Sequence, residues 1–183
     1  MGGFRWTFLL WLISTVSWSQ TISPSPTVVE EKSGRFSIEH RNDSLSILTL
    51  TTDSTCSHWK LPYPVYRFCT GDVDGDGSTD ALVGVVKSTR YFKEKGHRIF
   101  IFKNYHGEIR PLWMGSKLGG ILEDFRFADG KVRSLEHTAD GKYVVAEYSW
   151  ARFGMGFEGF LAKNVDRDEA LILFNDENVI KTK

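Results

Sequence analysis

Between residues 72 and 80 the chain reads Asp72-Val73-Asp74-Gly75-Asp76-Gly77-Ser78-Thr79-Asp80, then passes directly into Ala81-Leu82-Val83-Gly84-Val85-Val86. Aspartate stands at positions 1, 3, 5 and 9 of this stretch and glycine at positions 4 and 6. Four carboxylates this close repel one another unless a cation lies among them. Glycine lets the backbone curl, so that alternate side chains aim at one centre. Calcium accepts such an irregular cage, taking about six to eight oxygens at about 2.3–2.6 Å. The spacing points to a calcium loop with Asp72, Asp74, Asp76 and Asp80 as side-chain ligands and Ser78 offering its backbone carbonyl. The plainer alternative is an aspartate-rich surface turn with no ion. An EF-hand is excluded: its loop ends on a bidentate Glu at position 12, and here that position is Val83. Ala81–Val86 is apolar and rich in β-branched valine, so the loop joins two strands and sets the chain on a β architecture.

The rest of the chain agrees. Arg35-Phe36-Ser37-Ile38-Glu39 alternates polar and apolar residues, Arg41-Asn42-Asp43 reads as a turn, and Leu45–Leu50 reads as a second strand. Ala81–Val86 and Arg98–Phe102 are apolar on both faces, as central buried strands are. Ile109–Trp113 comes after a turn at Asn104-Tyr105-His106-Gly107. Asp129-Gly130 and Asp140-Gly141 sit between strand-like runs and favour the tight turns of hairpins. Ala170-Leu171-Ile172-Leu173-Phe174 reads as a last strand, and Leu118–Leu122 as a short turn of helix. The expected fold class is all-β: an antiparallel meander over residues 35–183, one domain.

The loop has the form DxDxDGxxD and runs straight into a buried strand. With Val65-Tyr66-Arg67-Phe68-Cys69-Thr70-Gly71 before it and Leu82-Val83-Gly84-Val85 after it, it resembles the FG-GAP calcium loop of integrin-type β-propellers and the related VCBS repeats. The resemblance covers Tyr63 to Phe102. It implies calcium held by the carboxylates of Asp72, Asp74, Asp76 and Asp80 and the carbonyl of Ser78. The sequence holds no second copy of the loop. Blades of roughly 40–45 residues would exhaust the chain at three or four. A curled sheet or partial, propeller-like barrel is therefore expected in place of a complete propeller.

Residues 1–19 have the parts of a secretory signal: Arg5, an apolar run from Phe8 through Val16, and small residues in Ser17-Trp18-Ser19 before Gln20. The run is too short to span a bilayer, which takes roughly 20 apolar residues. The expected location is secreted or periplasmic, with no membrane span in the mature chain. Residues 20–34, with Ser23-Pro24-Ser25-Pro26, read as a flexible lead-in. Export alters the redox expectation for the two cysteines, Cys56 and Cys69, which are expected to form a disulfide. Charge balances at 23 basic and 23 acidic residues, which gives no footing for nucleic acid or an anionic membrane as partner.

Two further segments invite comparison with blander readings. Lys87–Arg98 is basic with two aromatics; it reads first as a solvated hairpin loop, second as a contact surface for an acidic glycan or protein. Tyr148–Phe160 is dense in aromatics and glycines; it reads first as core, second as a stacking platform for a sugar together with Trp59 and Trp113. The five histidines, His40, His58, His97, His106 and His137, lack metal-ligand spacing, and no catalytic motif is present. The expected function is a calcium-stabilised β module that binds an extracellular protein or glycan and is not an enzyme. An envelope hydrolase with an unrecognised active site is the alternative, and a purely structural accessory protein a third reading.

Overall fold

The computed structural model describes residues 34–90, 93–115 and 117–176. The expected signal segment 1–19 and nearly all of the lead-in 20–34 lie outside them. Within the described residues are eleven strands and one helix. They are β1 (Arg35–Asn42), β2 (Leu45–Thr51), β3 (Cys56–Leu61), β4 (Val65–Gly71), β5 (Asp80–Lys87), β6 (Gly96–Tyr105), β7 (Glu108–Met114), β8 (Ile121–Ala128), β9 (Lys131–His137), β10 (Tyr143–Ala151), β11 (Gly154–Val165) and α1 (Arg167–Asn175). The strands form three antiparallel meanders, β1-β2-β3, β4-β5-β6-β7 and β8-β9-β10-β11. The all-β meander read from the sequence is present, divided into three sheets with no closed barrel among the described residues.

Side-chain alternation explains how the sheets stack. In β5, Ala81, Val83 and Val85 join one buried cluster with Phe36, Leu48, Leu50 and Leu61 of the first sheet. Leu82 faces the other way, into a cluster with Phe125 and Val132 of the third sheet. β6 divides alike, with Phe100 and Phe102 on the first face and Ile99 and Ile101 on the second. Apolar residues on both faces make this the central sheet, as the uninterrupted hydrophobic runs suggest. Gly84 lies where the second and third sheets approach closely. A Cβ there would come within 2.7 Å of the Tyr66 ring and 2.9 Å of Phe125.

The hairpin turns obey residue chemistry. His106-Gly107 and Asp129-Gly130 both take positive φ at two successive residues, the pattern of the tight hairpin turn. β10 and β11 are joined by Arg152 and Phe153, since Ala151 pairs with Gly154.

Three expectations are corrected. Ala170–Phe174 belongs to α1, not to a strand. Asp166 accepts a hydrogen bond from the Glu169 N–H at 2.9 Å, and Asp168 and Glu169 place negative charge in the first turn, as helix N-termini favour. Ala170 and Phe174, four apart, are the buried residues of one helical face. Leu118–Leu122 forms no helix, and Ile121 begins β8. There the Gly119 N–H donates to the Tyr148 hydroxyl and the Gly120 N–H to Glu136, so side chains take the groups a helix would need.

The third correction concerns the cysteines. Cys56 and Cys69 are both free thiols. Cys56 opens β3 in the first sheet and is exposed, whereas Cys69 lies in β4 of the second sheet and packs with the cluster beneath the third. Burial pushes the Cys69 thiol up to about 11. Thiol counting in denaturant without reductant is expected to find both. In native protein Cys56 should label fast and Cys69 only on unfolding, because the thiolate is the reactive form. An unfolded chain without titratable thiol would restore the disulfide.

Candidate metal centre and aromatic groove

The Asp72–Asp80 loop connects β4 to β5, and Asp80 is the first residue of β5. Gly75 and Gly77 take φ of 74° and 83°, where L side chains are strained. Each aspartate holds a backbone N–H of its own loop. Asp72 Oδ2 accepts from Gly77, Asp76 Oδ1 from Ser78 and Asp80 Oδ2 from Val73, at 3.0, 2.8 and 2.9 Å. Asp74 Oδ1 accepts from Asp76 at 3.4 Å. These bonds curl the loop.

Asp72, Asp74 and Asp80 each bring one carboxylate oxygen within 4.8 Å of the others, a cluster that could hold a metal ion. Asp72 Oδ1 and Asp80 Oδ1 are buried with no hydrogen-bond partner, and Asp80 is 0% exposed. Unpaired buried acceptors are costly, and a cation would satisfy both at once. Burial pushes the Asp80 carboxyl up to about 7, and the charges of Asp74 and Asp76 add to the shift. A cation in the cluster would reverse that balance and favour the ionised form. The donor set is all oxygen, which suits a hard divalent ion such as calcium.

Asp76 does not join this cluster. Its Oδ2 accepts from the Lys103 ammonium at 2.8 Å, and Lys103 also donates to Asp74 Oδ2 at 2.6 Å. The hydrogen bond from Lys103 holds the Asp76 carboxyl below its ordinary value. Burial alone would lower the Lys103 pKa, but Asp74 and Asp76 outweigh it and raise it. Ser78 is buried beside the cluster. Lys103 was missed by sequence reasoning. Its signal is a lone cation after the apolar run Ile99–Phe102, on the strand that pairs with β5.

The aromatic-rich segment divides between core and surface. Trp150 and Met155 pack into the cluster between the second and third sheets. Phe153, Phe157 and Phe160 are 94%, 53% and 51% exposed. A bulge between the Glu147 and Tyr148 pairings leaves Glu158 without a partner across the ladder. Phe157 and Phe160, three residues apart, then meet with ring centroids 4.7 Å apart. Trp113, Phe153 and Phe157 line an open groove of about 780 Å³. Phe157 and Phe160 line an adjoining pocket of about 430 Å³ that also holds Glu136. Trp59 stays outside, tilted against Phe102 at 5.4 Å on the far side of the central sheet. In the basic segment, Lys87 donates to the Tyr63 hydroxyl at 2.7 Å and lies over its ring, while Tyr91 and Phe92 fall outside the described residues.

Fold and site define an all-β protein of stacked meanders with an acidic triad able to hold a metal ion. Compared with protein-family models, curated proteins and solved structures, the chain matches none. Among the described residues, no helix is long and apolar enough to cross a membrane.

Proposed function

We propose that the chain is an exported β module, secreted or periplasmic, in which a structural calcium ion closes the Asp72–Asp80 loop and an aromatic groove binds an extracellular protein or glycan. The observation that carries the calcium half is the pair of partnerless buried oxygens, Asp72 Oδ1 and Asp80 Oδ1, within the triad. The loop's place between the first two strands of a four-stranded meander supports the resemblance to FG-GAP and VCBS repeats. None of the loop residues lines the groove or the adjoining pocket, which supports a brace for the fold over a reagent.

The binding half rests on exposed aromatics. A ring in water costs free energy that a stacking partner recovers, and large exposed apolar groups mark interaction sites. Phe153, at the tip of the β10–β11 hairpin, contributes almost nothing to the core at 94% exposure. The envelope-hydrolase reading draws on one feature, the buried Glu136 in the adjoining pocket. Among the described residues lining groove and pocket it is the one carboxylate, whereas glycoside hydrolysis ordinarily uses a pair. Its oxygens already accept from Ser134 Oγ at 2.6 Å, from Tyr148 OH at 2.9 Å and from the Gly120 N–H. Binding is therefore the better-supported activity.

A screen of the purified protein against immobilised glycans and envelope extracts tests this reading. A ligand retained by wild type is expected to lose about tenfold or more in affinity on Phe153→Ala/Phe157→Ala, as central aromatic anchors do. The melting point should barely move, because both rings are more than half exposed. A ligand whose affinity ignores both substitutions would place binding elsewhere and reject the groove.

A further inference from the structure

Lys103 projects from β6 towards the loop, and its ammonium bonds to Asp74 Oδ2 at 2.6 Å and Asp76 Oδ2 at 2.8 Å. It is 21% exposed, and Asp74 only 11%. Asp74 thus takes part in two arrangements, the lysine pair and the triad with Asp72 and Asp80. The ammonium serves the outer half of the loop. It leaves Asp72 Oδ1 and the wholly buried Asp80 Oδ1 without a partner. Four carboxylates therefore face one monovalent cation that satisfies two of them.

We propose that Lys103 is a tethered competitor of the metal: its ammonium substitutes for a divalent cation at Asp74 and Asp76, and must yield at Asp74 when the ion binds. The proposal rests on the reading of this loop as a calcium site. An ammonium and a calcium ion sharing the Asp74 carboxylate repel each other at a few ångströms, where screening by salt is weak. The same charge keeps the metal-free loop closed. Lys103 therefore weakens calcium binding while stabilising the apo fold.

Lys103→Met keeps an unbranched apolar stem and deletes the charge; Lys103→Arg keeps the charge. Calcium titration of chelator-stripped protein, with melting curves in calcium and in chelator, reads both effects. Lys103→Met is expected to bind calcium about tenfold more tightly than wild type, the modest end of what one neighbouring charge contributes at a partly exposed site. Its metal-free melting point should fall and its calcium-dependent rise should grow. Lys103→Arg should stay near wild type. If Lys103→Met binds calcium no better than a calcium-binding wild type, or Lys103→Arg tightens binding equally, the competitor role is wrong and the calcium site stands. If neither wild type nor Lys103→Met binds calcium, the reading of the loop itself fails, and the competitor role with it.

Discussion

Glu147→Ala is expected to destabilise the protein by about 3–5 kcal/mol, the usual consequence of leaving a buried charge without its partner. The charge is Arg133 on β9, 0% exposed. Its Nη2 donates to Glu147 Oε1 at 3.1 Å, and Nη1 donates to the carbonyl of Leu173 at 3.2 Å and to those of Phe174 and Asp176. Those carbonyls close the C-terminus of α1, whose last turn has no basic residue of its own. The guanidinium thus supplies from the sheet the positive charge a helix C-terminus favours. Arg126, its partner across the β8–β9 ladder, donates to the Asn175 carbonyl at 3.0 Å and reinforces the cap. Without Glu147 the Arg133 charge loses its balance in the interior. Lys131, which reaches the other Glu147 oxygen at 3.2 Å, loses its partner too. Urea titration measures the loss, and the melting point should drop by roughly 6–20 °C at about 2–4 °C per kcal/mol. Arg133→Met/Glu147→Met should cost less than the sum of its singles, since the double variant buries no lone charge. A Glu147→Ala protein as stable as wild type would mean that the pair lies open to water.

Calcium is expected to raise the melting point by roughly 5–10 °C at a concentration about a hundredfold above Kd, where linkage contributes about 2.7 kcal/mol. The ion would satisfy Asp72 Oδ1 and Asp80 Oδ1, which lack a hydrogen-bond partner. Asp80 also fixes a pH trend. Its folded-state pKa of about 7 lies above the ordinary 3.8, so the folded metal-free protein holds this proton more tightly than the unfolded chain does. The stability that this group contributes is full below 3.8 and is lost as pH rises through about 7. Asp80→Asn removes the trend and should make metal-free protein more stable at pH 8 while abolishing the calcium increment. The amide oxygen can still accept from the Val73 N–H, so the loop keeps its closing bond. Melts of both proteins in calcium and in chelator, at pH 5 and pH 8, read these signs.

Much of this architecture is legible in residue patterns. Ala81–Val86 and Arg98–Phe102 lack a polar face, so each needs apolar neighbours on both sides, and two sheets provide them. Asp129-Gly130 announces its hairpin because successive positive φ values leave few other residues eligible. The loop is visible because its four aspartates are local, within nine residues. What escaped depends on distance or on a competing local signal. Lys103 reaches Asp74 and Asp76 only after the β5–β6 hairpin folds, and a lysine on a strand ordinarily faces water. The helix α1 was masked by its apolar run, although Asp166 and Glu169 spell its N-terminal cap. Cys56 and Cys69 are close in sequence, yet the chain changes sheet between them. The exposure of Phe157 and Phe160 on one side depends on a bulge, which no alternation pattern displays.

Calorimetric titration of calcium into chelator-stripped protein at neutral pH, with Asp80→Asn beside wild type, reads the occupancy of the Asp72–Asp80 loop. Wild type is expected to take up one calcium ion per chain, and Asp80→Asn, still folded, to show no comparable binding. A wild-type protein that takes up no calcium, or an Asp80→Asn variant that binds it as tightly, would contradict the assignment of Asp72, Asp74 and Asp80 as the metal centre.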